Sequence, residues 1–229
     1  MNILITGTSR GIGYELCKKL MVDGCHNIIA ISRTEVIFDK YLDLNKKSFT
    51  HLKLDLANTD FKESLLPRIV EKIKEIDIII NNAGLLINKP FEELTDNDFD
   101  DIFDLNVKSI FRLIRDLISV IKKGAHIVNI SSMGGYQGSA KFPGLSLYSA
   151  SKGALAVLTE CLAEELKDKG ISVNALALGA VQTEMLSEAF PNYKAPLSAS
   201  EMADFIYDFA LTGHKHYNGK ILPVSLSTP

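Results

Sequence analysis

Residues 2–13 read NILITGTSRGIG: an apolar run gives way to three glycines and an arginine, and a helical pattern begins at once. NILIT (2–6) lacks the polar alternation of a strand with one wet face, so it reads as a strand buried on both faces. From Gly11 to Asp23 the apolar residues Ile12, Leu16, Cys17 and Leu20 recur at helical spacing, and Gly24 stops the pattern. Strand, glycine turn and helix are thus established early, and the rest of the chain repeats the alternation.

NIIAIS (27–32) and FTHLKLDL (49–56) predict a second and a third strand, and Phe61, Leu65, Ile69, Val70 and Ile73 mark a helix. IDIIIN (76–81) is the fourth strand. Thr95 with Asp98 has the capping-box pattern and opens a long helix to about Ile121, with Phe99, Ile102, Phe103, Ile110, Leu113, Ile114 and Leu117 apolar. AHIVNIS (125–131), a helix over roughly 149–168 and ISVNALAL (171–178) follow. Ser198 or Ser200 caps a helix bearing Met202, Phe205, Ile206 and Phe209, and KILPVS (220–225) closes the sheet. Alternation this regular implies right-handed crossovers between parallel strands. The expected fold class is α/β: a doubly wound, Rossmann-type parallel sheet of about seven strands with helices on both faces, one domain over 1–229.

A chain of 229 residues suits one domain with a sizeable core, and 46% hydrophobic with 23% charged residues is ordinary for a globular protein. A net charge of −3 offers no basic surface to nucleic acid and no polybasic stretch to a membrane. No apolar run approaches the roughly 20 residues that cross a bilayer. A strand from Asn2 leaves no room for a signal peptide, so the expectation is a cytoplasmic protein. Cys17, Cys25 and Cys161 lack zinc-like spacing, and Cys17 and Cys161 fall in helical patterns, as small core residues do. The seven carboxylates from Glu92 to Asp104 read as a solvated first helical turn rather than a metal site. His214 and His216, without a third ligand, read as surface residues.

A doubly wound sheet binds its ligand beyond the carboxyl ends of the strands, where the strand order reverses. Gly7, Gly11 and Gly13 lie in the first strand–helix turn, where helix N-terminal amides point at an anion and a missing Cβ lets backbone approach a pyrophosphate. The spacing is TGxxxGxG, so the general dinucleotide fingerprint GxGxxG fits loosely and the position carries the reading. An acid at the end of the second strand would bind ribose hydroxyls and repel a 2′-phosphate. This chain has Ser32-Arg33-Thr34 there, and a guanidinium suits a phosphate in shape and charge. With Arg10 approaching from the glycine loop, the pair selects NADP(H) over NAD(H).

Tyr148 and Lys152 form YxxxK at the start of a helix, and residues four apart share a helix face. A free tyrosine has a pKa near 10, and bringing it near neutrality takes ~4 kcal/mol of preferential phenolate stabilisation, which a nearby ammonium can help supply. Ser131-Ser132 end the fifth strand, NNAG (81–84) ends the fourth, Asp55 ends the third, and Asn106 stands inside the long helix where asparagine is unfavourable without a use.

Together these motifs resemble the short-chain dehydrogenase/reductase family in its compact single-domain form, over essentially the whole chain. The resemblance implies that Gly7, Ser9, Arg10, Gly11, Ile12 and Gly13 wrap the cofactor phosphates and that Arg33 holds the 2′-phosphate. It puts Asp55 and Leu56 against the adenine, Asn82, Ala83 and Gly84 against the neighbouring ribose, and Gly179, Val181 and Thr183 against the nicotinamide. It makes Tyr148 the general acid. Lys152 binds the nicotinamide ribose and lowers the Tyr148 pKa, Ser132 bonds the substrate oxygen, and Asn106 holds a water linking Lys152 to solvent. Two departures stand out: Leu178-Gly179 replaces the frequent Pro-Gly, and the interval from Ser132 to Tyr148 is longer than usual, which leaves Ser131 as an alternative to Ser132.

The implied reaction is reversible carbonyl reduction of a small molecule, with no metal. Segments 133–147 and 184–197 should border the substrate pocket, offering Met133, Tyr136, Phe142, Met185, Leu186, Phe190 and Tyr193, while Lys141 and Lys194 read as solvated. A catalytically silent, NADP-binding redox regulator is the alternative, which an intact Ser132, Asn106, Tyr148 and Lys152 disfavours. Wide apolar faces on the long helix and on the helix after Tyr148, including Ala154, Leu155, Leu158 and Leu162, suit a homodimer or homotetramer.

Overall fold

A computed structural model of the chain describes residues 1–36 and 48–226. Strands β1 (Asn2–Thr6), β2 (Asn27–Ser32), β3 (Phe49–Lys53), β4 (Ile76–Asn81), β5 (Ile121–Ser132), β6 (Ser172–Leu178) and β9 (Ile221–Val224) make one parallel sheet. Their order is β3-β2-β1-β4-β5-β6-β9, so the direction of winding reverses between β1 and β4. That reversal opens a crevice beyond the carboxyl ends of the two strands. A short ladder of β7 (Val181–Gln182) with β8 (Leu197–Ser198) brackets the segment that follows β6.

The strands read as unbroken apolar runs because both faces are covered. Leu4, Ile29, Ile79, Ile127 and Val173 point into one core layer, where they meet residues of α2 (Leu66–Lys72), α4 (Ser109–Leu117) and α5 (Ser146–Glu165). Their neighbours Ile3, Ile5, Ile28, Ile80 and Leu176 point into the other, against α1 (Gly11–Asp23) and α7 (Ala199–Thr212). Period-two alternation thus divides each strand between two cores.

Several element boundaries differ from the sequence expectation. The long helix is α3 (Asp96–Phe103) and α4 joined through a π-helical turn at Asp104–Lys108, and it ends at Leu117. A 3-10 turn at Ile118–Val120 follows, and strand β5 starts directly after it at Ile121. The third strand stops at Lys53; Leu54 and Leu56 lie in the following loop yet are buried, which is why they mimic a strand. Helix α5 begins at Ser146 and ends at Glu165. The Thr95–Asp98 capping box is present, and Ser198, not Ser200, caps α7 through a box with Glu201. Helix α6 (Glu184–Ala189) has too few turns to declare itself by periodicity.

Two expectations about burial are corrected. Cys17 is buried but Cys161 is exposed, because the helical pattern around it belongs to a helix with one wet face. His214 is not a free surface residue: it is half-buried, with its ring 5.5 Å from that of buried His126.

Candidate active site

The glycine loop is shaped by contacts that only glycine allows. Gly7 has φ +72°, and a Cβ there would lie 2.7 Å from the Ala83 Cα. A Cβ on Gly13 would come within 2.2 Å of the Gly7 carbonyl oxygen and 2.5 Å of the Asn82 Nδ2. Asn82 closes this interlock: its Nδ2 donates to the carbonyls of Thr6 (3.1 Å) and Gly7 (2.9 Å). The Thr6 hydroxyl accepts from the backbone N–H groups of Asn82 and Ala83, both at 3.1 Å. The end of β4 therefore holds the end of β1 in the shape of a cradle. Helix α1 starts at its mouth with no side-chain cap, so its first amides stay available to an anion.

A cleft of about 620 Å³ runs from this cradle along the carboxyl edge of the sheet. It brings together Gly7, Ser9, Arg10, Gly11, Ile12, Arg33, Asp55, Leu56, Asn82, Ala83 and Gly84 with Ser132, Tyr148, Lys152, Gly179, Val181 and Thr183. Gly13 and Asn106 do not line it. Gly13 serves the loop's packing: its missing Cβ makes room for the Gly7 carbonyl and the Asn82 amide. Asn106 is fully buried in the π-helical turn, where its Oδ1 accepts from Leu85 N–H (2.8 Å). Its Nδ2 donates to Leu85 O (2.9 Å) and Ser151 Oγ (3.0 Å). Asn106 thus fixes the NNAG segment to the helix carrying Tyr148, which is the use that its place in a helix signalled.

The catalytic end is tightly bonded. Lys152 is 4% exposed, and its ammonium donates to the Ile130 carbonyl at 2.8 Å while lying 5.8 Å from the Tyr148 ring centre. Ser131 donates to the Lys152 carbonyl (3.0 Å) and so anchors α5 to β5. Ser132 instead accepts from Gly134 N–H (3.1 Å) and lines the cleft with Tyr148, whose phenol it pulls toward a lower pKa. The two serines thus differ: Ser131 supports the helix, and Ser132 faces the cleft beside the phenol.

Burial pushes the Tyr148 phenol above its ordinary value, with the Ser132 hydrogen bond pulling the other way. Burial lowers Lys152 to about 8. The expectation of a Tyr148 pKa lowered by Lys152 is therefore not met by the chain by itself. Desolvation disfavours both charges, and the ammonium is bonded to a carbonyl rather than to the phenol oxygen. A phenol held neutral at pH 7 is a proton donor.

The opposite end of the cleft is looser. Arg33 is exposed. Arg10 does not stand free toward Arg33: its guanidinium forks onto the Glu188 carboxylate of α6, Nη2 to Oε2 at 3.2 Å beside a second, shorter contact. Glu188 raises the arginine's pKa further, and the arginine lowers that of the carboxyl. Ser32-Arg33-Thr34 stand at the end of β2, with Glu35 next in sequence; the Ser32 hydroxyl donates to Thr34 O (2.7 Å) and meets His51 Nε2 (2.8 Å).

The loop after β6 lacks the common proline, yet Gly179 N–H donates to Val224 O (2.9 Å), which ties it to β9. The long connection between Ser132 and Tyr148 is bonded within itself: Lys141 donates to Tyr136 O and Ser139 Oγ, both at 2.7 Å. Tyr136 does not line the cleft, whereas Leu86, Leu105 and Leu145, unnoticed in the sequence, do. A buried relay also escaped notice: Asn81 donates to Asn129 Oδ1 (2.8 Å), Asn129 to Thr159 Oγ1 (2.9 Å) and Thr159 to Leu155 O (2.8 Å). It pins α5 to β4 and β5 below the catalytic pair. Its signal was amide side chains inside otherwise apolar strands, which are costly unless bonded.

The fit to a dinucleotide rests on the cradle that a Cβ at Gly7 would fill and on a cleft continuous from there to Tyr148. Comparison with known proteins agrees. The short chain dehydrogenase family model matches residues 1–194. The 3-oxoacyl-[acyl-carrier-protein] reductase FabG of Rickettsia bellii (strain RML369-C) is 35% identical, covering 80% of this chain and 73% of its own. The NADPH-dependent pterin aldehyde reductase of Arabidopsis thaliana is 35% identical, covering 85% and 82%. A solved structure of a 4-hydroxyisoleucine dehydrogenase mutant complexed with NADH and succinate is 27% identical, with a TM-score of 0.83 over 98% of this chain and 96% of that one. The chain belongs to the short chain dehydrogenase family of nicotinamide-dependent oxidoreductases.

Proposed function

We propose that this protein is an NADPH-dependent carbonyl reductase of small molecules. The observation that carries the reading is the meeting of Ser132, Tyr148 and a buried Lys152, its ammonium 5.8 Å from the Tyr148 ring centre, at one end of the cleft. When bound, the nicotinamide supplies the hydride. Tyr148 gives its proton to the substrate oxygen as negative charge develops there, and Ser132 donates a hydrogen bond to the same oxygen. Lys152 holds its ammonium beneath the phenol ring and stabilises the phenolate left behind. Asn106 keeps Leu85 and Ser151 in place, and a water held beside it would carry protons between Lys152 and solvent. In the oxidative direction Tyr148 accepts the proton.

The preference for NADP(H) rests on Arg10 and Arg33 at the cleft and on an arginine, where an acid would bind ribose, directly after β2. Arg10 would exchange the Glu188 carboxylate for the 2′-phosphate. Asp55 and Leu56 would hold the adenine, Asn82 to Gly84 the ribose, and Gly179, Val181 and Thr183 the carboxamide, all of them lining the cleft. The assembly is a homodimer or homotetramer: Phe99, Phe111 and Val157 are 46%, 44% and 59% exposed on α3, α4 and α5. Light scattering after gel filtration should give a mass above 25.2 kDa. For the reaction, a panel of ketones and aldehydes is assayed by NADPH and by NADH oxidation. Turnover with NADPH favoured supports the proposal. Tight NADPH binding without turnover of any compound would point to a redox regulator instead.

A further inference from the structure

The charges around the cleft are distributed unevenly. Among the described lining residues the charged ones are Arg10, Arg33, Asp55, Lys152 and Glu184. Arg10, Arg33 and Asp55 follow β1, β2 and β3, on the far side of the winding reversal from Tyr148. Glu184 leans over the glycine loop, its Oε2 being 3.5 Å from where a Gly11 Cβ would stand. The Lys152 ammonium is bonded to Ile130 O and faces Gly84, 3.5 Å from a Cβ built there. Every one of these charges lies at the glycine loop, after β1 to β3, or beside Gly84, which are the parts of the cleft proposed to hold the dinucleotide.

The walls beyond Ser132 and Tyr148 are of another kind. Met133, Phe142 and Leu145 come from the β5–α5 connection, and Met185, Phe190 and Tyr193 from α6 and the segment after it. Of the two lysines nearby in sequence, Lys141 is bonded to Tyr136 O and Ser139 and Lys194 is exposed, and neither lines the cleft. This wall is also built in advance. Thr183 caps α6 through Leu186 N–H (3.2 Å), and Asn88 Nδ2 holds its last carbonyl, that of Ala189, at 2.9 Å. The Gln182 side chain bonds Ser187 Oγ and Ala195 N–H, both at 2.9 Å, and closes the segment on itself.

We propose that the substrate is a neutral, apolar ketone or aldehyde of aryl or alicyclic type, and that the site rejects carbonyl compounds bearing a carboxylate near the reacting carbon. The inference rests on the reductase reading for its reacting atoms, but its ground is the chargeless wall. A carboxylate placed against Phe142, Phe190 and Met185 would lose water without gaining a partner. Rings stack or meet edge to face with the aromatic walls, and the thioethers of Met133 and Met185 adapt to differing outlines.

The test uses the full chain with NADPH. Acetophenone, propiophenone and butyrophenone are compared by kcat/KM, as are methyl 4-acetylbenzoate and the 4-acetylbenzoate anion. Calorimetry on the NADPH complex compares methyl benzoate with benzoate, neither of which can be reduced there. The expected results are a rise of about fourfold per added methylene until the wall is filled, and a preference of at least ~100-fold for each neutral ester over its anion. Tyr193→Arg, a cation at the rim, should narrow both ratios. Reduction of 4-acetylbenzoate within tenfold of its ester, or benzoate bound as tightly as methyl benzoate, overturns the proposal. Preferential binding of the ester with no ketone reduced supports the chargeless pocket and refutes the reductase reading instead.

Discussion

Lys152, at the catalytic end of the cleft, is 4% exposed and bonded to Ile130 O, whereas Arg10, at the glycine-loop end, has an exposed side chain and is paired with a carboxylate 178 residues away in sequence. The first arrangement is fixed by burial. Ser131, the Asn81–Asn129–Thr159 relay and Asn106 each tie α5 to the sheet or to the NNAG segment, so Ser132 and Tyr148 meet without needing a ligand. The second arrangement is held by exposed ion pairs, which contribute little and exchange partners readily. On the proposed function, chemistry depends on groups that burial fixes, and cofactor choice on groups held only by exposed ion pairs.

If that contrast is right, substitutions at the two ends should differ in kind as well as size. Ser132→Ala removes a donor at the site of developing charge and should lower kcat by ~10²-fold with little change in nucleotide affinity. Fluorescence titration of NADPH beside steady-state kinetics checks it; a loss confined to NADPH binding would mean that Ser132 belongs to the other end. The Arg10→Ala, Arg33→Ala double variant should lose about 30-fold of the preference for NADPH over NADH, read as the ratio of kcat/KM values, with kcat for NADH unchanged. A variant that kept its preference would show that neither arginine reads the 2′-phosphate.

The pH dependence separates the ends as well. Lys152 titrates at about 8, and it loses its charge as the pH rises through that value, while Tyr148 stays protonated because its pKa is raised. Carbonyl reduction should therefore be flat below pH 8, with kcat/KM falling by up to about tenfold per unit above it. The smallest effect is expected at Glu188→Gln. Freeing Arg10 from its exposed partner should tighten NADPH by about threefold or less and leave NADH unaffected. Weaker NADPH binding would instead make the ion pair part of the cofactor site.

The sequence announced the catalytic end better than the other, for a physical reason. Tyr148, Lys152 and Ser132 are placed by a helix repeat and a strand end, both local patterns, and Asn106 stood out as a polar residue inside a helix. The alternation of strands and helices also carried the doubly wound parallel sheet, though not the order of its strands. What stayed hidden came from pairings between distant segments. The fork from Arg10 to Glu188 leaves no periodicity behind, and neither does the interlock in which Gly13 makes room for Gly7 and Asn82. The π-helical turn at Asp104–Lys108 keeps helical spacing on either side, so nothing in the apolar pattern marks it. The pKa of Tyr148 depends on the balance between burial and hydrogen bonding, which no motif records.

The most direct test of the account removes a single oxygen. Tyr148→Phe keeps the ring against Lys152 and deletes the proton that the mechanism gives to the substrate. NADPH oxidation with a reducible ketone and NADPH binding by titration are measured on the variant and the wild type. The account predicts binding within about twofold and turnover lowered by at least ~10³-fold. A variant that retains a tenth of the turnover would contradict it.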